Sequence, residues 1–191
     1  MGSELIYSTS KDVQPFIRFD VEIKPSQVIS CVGYEFICSN LKCDCQSVHI
    51  GVGLKGKDYK SILTYITYGW RNYDYYLSRG HSKDHAQEIV QGTFNKQSDA
   101  ESEQNKSILL AFRRWLGKNK EYYDQIFAER YQQHKSAVRN RQMSKERNAK
   151  LKKLFSLMME LFGEEKVEEF IASCEQQNKI SYTSDYKKAR R

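Results

Sequence analysis

The chain has 191 residues, with 31 Lys and Arg against 24 Asp and Glu, a formal net charge of +7. Hydrophobic residues make up 39 %, and 13 Tyr, 9 Phe and 2 Trp are enough to close a core and to exclude wholesale disorder. With 2 Pro and 10 Gly the collagen-like and low-complexity classes fall away, and no run of about 18 apolar residues offers a membrane span.

The first third reads as strands. Phe16, Arg18, Asp20 and Glu22 alternate with Ile17, Phe19, Val21 and Ile23, a period of two that Pro25 ends. Val28 to Cys38 is a second β-rich run, and Val48, Ile50, Val52 and Leu54 mark a third, with His49, Gly51 and Gly53 opposite. The short link between these two runs predicts a hairpin. Ile62 to Trp70 also reads as strand from its Ile, Thr and Tyr content, although Tyr59, Ile62, Leu63 and Ile66 fit a helical stripe as well.

Helices are expected from Ser82 onward. Ser82 can cap a helix that ends at Gly92, and residues 93–105 form a polar connector. Ile108, Leu109, Phe112, Trp115 and Leu116 make one helical face; Tyr123, Ile126, Phe127, Tyr131, His134 and Val138 make another that can run on into a basic stretch. Leu151, Leu154, Phe155, Met158, Leu161 and Phe162 recur at i, i+3, i+4 and i+7, Gly163 is placed to end that helix, and Val167, Phe170, Ile171 and Cys174 repeat the pattern, an αα-hairpin. Charge is unevenly spread: residues 129–153 carry net +7, residues 154–178 net −5 and the tail from Lys179 net +4.

Five cysteines occur, Cys31, Cys38, Cys43, Cys45 and Cys174. The N-terminal residues lack the basic region and long apolar stretch of a secretory leader, so a cytoplasmic protein with reduced thiols is expected. Cys38, Cys43 and Cys45 read C-x4-C-x-C between two predicted strands. In extended chain, residues i and i+2 share a face about 6.6 Å apart, and a four-residue turn returns Cys38 to the other two. Three soft thiolates at a hairpin tip suit a structural zinc ion. The fourth ligand stays open: His49 lies about 13 Å of strand from Cys45, Cys31 needs a bulge to reach, His81 and His85 can arrive together from a helix face, and Asp44 or water can also complete the site.

The stretch YEFICSNLKCDCQSVHI (Tyr34 to Ile50), followed by YITYGW (Tyr65 to Trp70), resembles an uncharacterised bacterial family with an aromatic-rich strand, C-x4-C-D-C, a hydrophobic strand and an aromatic-Gly-Trp segment. Some members are joined to a small SEC-C zinc motif. The resemblance spans Phe16 to His134 and implies that Cys38, Cys43, Asp44 and Cys45 are signature positions, with Gly69 and Trp70 a second landmark. Gln46 stands where an Arg is expected, and no SEC-C motif follows.

Other motifs compete. Gly51, Gly53 and Gly56 read G-x-G-x-x-G, and Gly51, Gly56 and Lys57 read G-x4-G-K, patterns that can cradle phosphate; Asp58, however, replaces the Mg²⁺-binding hydroxyl, and glycines of a hairpin turn explain the same letters. Arg130, Lys135, Arg139, Arg141, Lys145 and Arg147 can track a nucleic-acid backbone along one helix, or can form a solvated face balanced by Glu164, Glu165, Glu168 and Glu169. Tyr65, Tyr68, Trp70, Tyr73, Tyr75 and Tyr76 either line a groove or pack a sheet against a helix. His85 and Glu88 match no zincin or deaminase signature.

These readings converge on an α+β protein: an N-terminal antiparallel sheet with a Cys-rich hairpin knuckle, packed by helices, and a C-terminal charged helical hairpin. The expected organisation is an α+β domain over residues 1–128, a basic helix and helical hairpin over 129–178, and a flexible basic tail over 179–191. The expected function is a non-enzymatic zinc-binding or regulatory module, with nucleic-acid binding through residues 130–153 and a nucleotide-binding enzyme through Gly51 to Lys57 as alternatives. The C-terminal apolar stripes can meet the sheet, a protein partner or a second copy of the chain.

Overall fold

The structure, a computed structural model, describes residues 15–57, 60–96 and 98–176, without the side chains of 174–176. Residues 1–14, Asp58, Tyr59 and the tail expected over 179–191 lie outside the described residues, as does the side chain of Cys174. The chain divides into two compact units, one reaching to Lys135 and one from Ser136 on.

In the first unit β1 (Ile17–Lys24), β2 (Gln27–Ile37), β3 (Ser47–Leu54), β4 (Ile62–Gly69) and β5 (Thr93–Phe94) form a single antiparallel sheet in chain order. The period of two sorts β1 cleanly: Ile17, Phe19 and Val21 are buried while Arg18, Asp20 and Glu22 are exposed. Val48, Ile50 and Val52 of β3 and Ile66 and Tyr68 of β4 join them in one core. The opposite face carries a smaller cluster of Val32, Tyr34 and Phe36 with Ile62 and Tyr65. Pro25 and Ser26 make the first turn, Ser26 taking a left-handed φ of 69°. The strand β5 corrects the polar connector expected over 93–105: Thr93 and Phe94 pair with Thr67 and Ile66, a run too short to show periodicity.

The helices are α1 (Tyr73–Ser78), α2 (Lys83–Gln91), α3 (Glu103–Phe162) and α4 (Glu164–Gln176). Ser82 caps α2 by accepting from the His85 backbone N–H, and Gly92 closes it at φ 89°, a conformation that favours glycine. The short α1, capped by Asn72, is absent from the sequence reading because YDYYLS has no apolar periodicity. Ile108, Phe112, Leu116 and Phe127 from the first-unit part of α3 pack into the sheet's core, where Phe112 meets Phe19 and Tyr68 edge-on. Among the described residues no helix is long and apolar enough to cross a membrane.

In the second unit the end of α3 and α4 form the expected helical hairpin. Gly163, at φ 81°, separates them, and Phe155, Val167 and Ile171 pack together with Leu151, Met158 and Met159. Arg139, Arg141, Lys145 and Arg147 are exposed.

On the sheet face away from α3, His49 is held by Thr67 Oγ1 at 2.9 Å and Asn95 Nδ2 at 3.0 Å from its Nδ1. An amide nitrogen only donates, so Nδ1 accepts and the ring is neutral. Burial lowers its pKa below the ordinary 6.5. The unfolded chain then binds the proton more readily, so this group's contribution to stability is intact above about pH 6.5 and is lost as pH falls, by up to about 1.4 kcal/mol per pH unit. Urea denaturation of His49→Gln is expected to show a shallower loss of stability than the parent between about pH 7 and pH 5; parallel curves would refute this assignment.

Candidate metal centre

The loop joining β2 to β3 is built by local hydrogen bonds and then fastened from three directions. Asn40 begins a turn in which the Cys43 N–H donates to the Asn40 carbonyl at 3.0 Å, while Asn40 Oδ1 accepts from the Lys42 N–H at 3.0 Å. Gln46 ends the loop at a left-handed φ of 48°. Its side-chain nitrogen donates to Asp44 Oδ1 at 2.6 Å, and its side-chain oxygen accepts from Trp70 Nε1 at 3.2 Å. From α1, the Tyr75 hydroxyl donates to the Asp44 carbonyl and the Tyr76 hydroxyl to the Gln46 carbonyl, each at 2.6 Å, and Arg79 pairs with Asp44 Oδ2 at 2.6 Å. From α3, the Tyr131 hydroxyl donates to the Cys43 carbonyl at 3.1 Å. Lys135 Nζ donates to that same carbonyl at 2.9 Å and to the Asn40 carbonyl at 2.5 Å.

This frame gathers the sulfur atoms of Cys38, Cys43 and Cys45 within 4.8 Å of one another, all half-buried. A tetrahedral ion with metal–sulfur bonds of about 2.3 Å places its thiolates about 3.8 Å apart, so the spacing suits one ion shared by three sulfurs. Three close cysteines of this kind can bind a metal ion. Burial, followed by the neighbouring Cys45 and Cys38, pushes the Cys43 thiol up to about 12. The cluster without metal therefore holds this proton at neutral pH, and an ion bound there would have to displace it. Asp44 is held below the usual carboxylate range by its Gln46 hydrogen bond first, with Tyr75, Arg79 and Lys135 adding to the effect.

The other ligand candidates stand outside this group. Cys31 is buried in β2 opposite Phe19 and Leu54, with six residues of chain between it and Cys38, and burial raises its thiol to about 11. Asp44 is spent on Arg79 and Gln46. The His81 and His85 rings lie against each other at 5.2 Å, His81 also meeting Tyr76 and His85 approaching Glu88 at 3.8 Å. Among the described residues the mutually close ligand atoms are the three sulfurs.

Two of the cations expected on a nucleic-acid face turn elsewhere. Lys135 is 8 % exposed and fastens the cysteine loop; Arg130 pairs with the buried Glu35 and lies over the Phe16 ring. The glycine motif likewise sits in and just after a strand. Gly51 and Gly53 lie within β3, paired with Tyr34 and Val32 of β2, and the next element is β4, so no helix N-terminus is offered. At Gly51 a Cβ would stand 2.5 Å from Ile62 and 2.8 Å from Phe36, so the glycine answers close packing. Gly56 takes φ 82° in the following turn beside Lys57.

The first unit thus defines an α+β protein with a tris-cysteine cluster on a braced β-hairpin loop. No protein-family model, curated protein or solved structure matches the chain. Lys135, Tyr131, Tyr75 and Tyr76 are the contributors that sequence reasoning missed: Tyr75 and Tyr76 belong to the tyrosine-dense stretch around Trp70 read as core packing or a groove, Tyr131 to a helical face and Lys135 to the basic stretch.

Proposed function

We propose that the protein is a non-enzymatic zinc-binding module in which the ion ties the cysteine loop into one shape for recognition by a partner. The observation that carries this reading is the convergence of three sulfurs within 4.8 Å on a loop already held by α1 and α3. Soft sulfur donors at tetrahedral spacing favour zinc over hard cations such as Mg²⁺ or Ca²⁺. Three thiolates also place so much negative charge on the ion that it polarises water poorly, which favours a structural role. The C-x4-C-D-C resemblance of Tyr34 to Ile50 supports the same reading. A water or a donor from the partner completes the fourth position.

Metal analysis of the purified chain tests the proposal. About one zinc per chain is expected, lost in Cys38→Ser, Cys43→Ser and Cys45→Ser alike. Zinc retained in full by all three variants, or no zinc after reconstitution under reducing conditions, would overturn it.

A further inference from the structure

A cavity of about 620 Å³ opens in the first unit among α1, α2 and α3, separate from the sulfur cluster. Its size falls within the roughly 300–1,000 Å³ typical of small-molecule sites. Trp70, Leu116, Val90 and Tyr73 give it an apolar wall, and Trp70 is held in place by Phe127 stacked at 6.3 Å and by its hydrogen bond to Gln46.

The charges in the wall are of two kinds. Lys120 and Asp124 satisfy each other at 2.9 Å, and both bond the buried Tyr68 hydroxyl, so this pair closes one end of the cavity without net charge. Arg113 and Arg71 form no ion pair among the described residues. Arg113 is braced through its Nε, which donates to the Gly92 carbonyl at 3.0 Å, and this leaves the outer edge of the guanidinium for another acceptor. Arg71 lies over the Tyr75 ring at 5.4 Å.

Gly117 adds an independent observation. It stands in the interior of α3 on the cavity wall, with an ordinary helical backbone, and a Cβ placed there would meet nothing within 4 Å. Glycine lowers helix stability relative to alanine, and neither packing nor a turn requires it here. Gly117 is exposed at the cavity wall, so a side chain added there would project into the open space of the cavity mouth.

We propose that this cavity binds a small flat molecule bearing a carboxylate, its apolar body against Trp70 and Leu116 and its anion on Arg113 and Arg71. The carboxylate accepts paired N–H groups from a guanidinium, a geometry that suits Arg and not Lys. None of the three cysteines lines the site, which is joined to their loop through the Trp70–Gln46 hydrogen bond.

Calorimetric titration of the full chain with 2-naphthoate and with its neutral counterpart 2-naphthalenemethanol tests the inference. Naphthoate is expected to bind in the micromolar to low-millimolar range and the alcohol at least about tenfold more weakly. Arg113→Met is expected to weaken naphthoate about tenfold to a hundredfold, the worth of a charge-assisted hydrogen bond, and to leave the alcohol unchanged. Gly117→Leu, whose side chain enters open space, is expected to abolish binding of both with no fall in melting temperature. Absence of naphthoate binding at millimolar concentration, equal affinity for the alcohol, or full binding by folded Gly117→Leu would each overturn the proposal.

Discussion

Zinc-loaded protein is expected to melt about 5–10 °C above the chelator-stripped protein. A ligand at 100 times its dissociation constant adds about 2.7 kcal/mol to the folded state, and for a chain of this size each kcal/mol moves the midpoint by roughly 2–4 °C. Cys43 is the position at which the effect is cleanest. Its sulfur meets both neighbours, while its carbonyl, the part held by Tyr131 and Lys135, survives substitution by Ser. Cys43→Ser in excess zinc is therefore expected to melt where the stripped parent does, with no further response to chelator. Differential scanning calorimetry with and without EDTA makes the comparison; identical midpoints for loaded and stripped parent would remove the ion from the folded structure's energetics.

Lys135→Met is expected to weaken zinc binding about tenfold to a hundredfold, the range found when the groups that orient metal ligands are lost. The buried ammonium bridges the Asn40 and Cys43 carbonyls, which lie at the two ends of the turn that carries the central cysteine. Methionine keeps the aliphatic stem but supplies no donor, so the turn loses a brace and the thiolates lose a nearby positive charge. Tyr131→Phe removes only one of the two donors to the Cys43 carbonyl and is expected to have a smaller effect. Competition against a chromophoric chelator measures both variants; an affinity unchanged in Lys135→Met would show that the loop holds its shape unaided.

The sheet was legible from the alternation of β1, where the burial of Ile17, Phe19 and Val21 against exposed Arg18, Asp20 and Glu22 follows it residue for residue, and from the β-branched and aromatic content of the strands after it. The cysteine trio was legible for the same local reason, since a short loop between paired strands must return its ends. What escaped depends on distance along the chain. Lys135 belongs to a charged stretch indistinguishable by composition from a solvated face, and the carbonyls it serves lie 92 and 95 residues earlier. Gly51 shows the reverse problem: the letters of a phosphate loop arise where Phe36 and Ile62 leave no room for a Cβ. The stripe over 139–150 lacks apolar landmarks, so the unbroken course of α3 was not readable from periodicity.

Because the strands pair in the order in which they occur, the β2–β3 loop can form from a short stretch of nascent chain, well before Tyr131 and Lys135 have been synthesised. On the proposed metal-binding role, ion capture and ion retention would thereby be separated in time. The early hairpin would then offer sulfur while exchange is still easy, and the later arrival of two residues from a distant helix would turn a loose holder into a slow-releasing one.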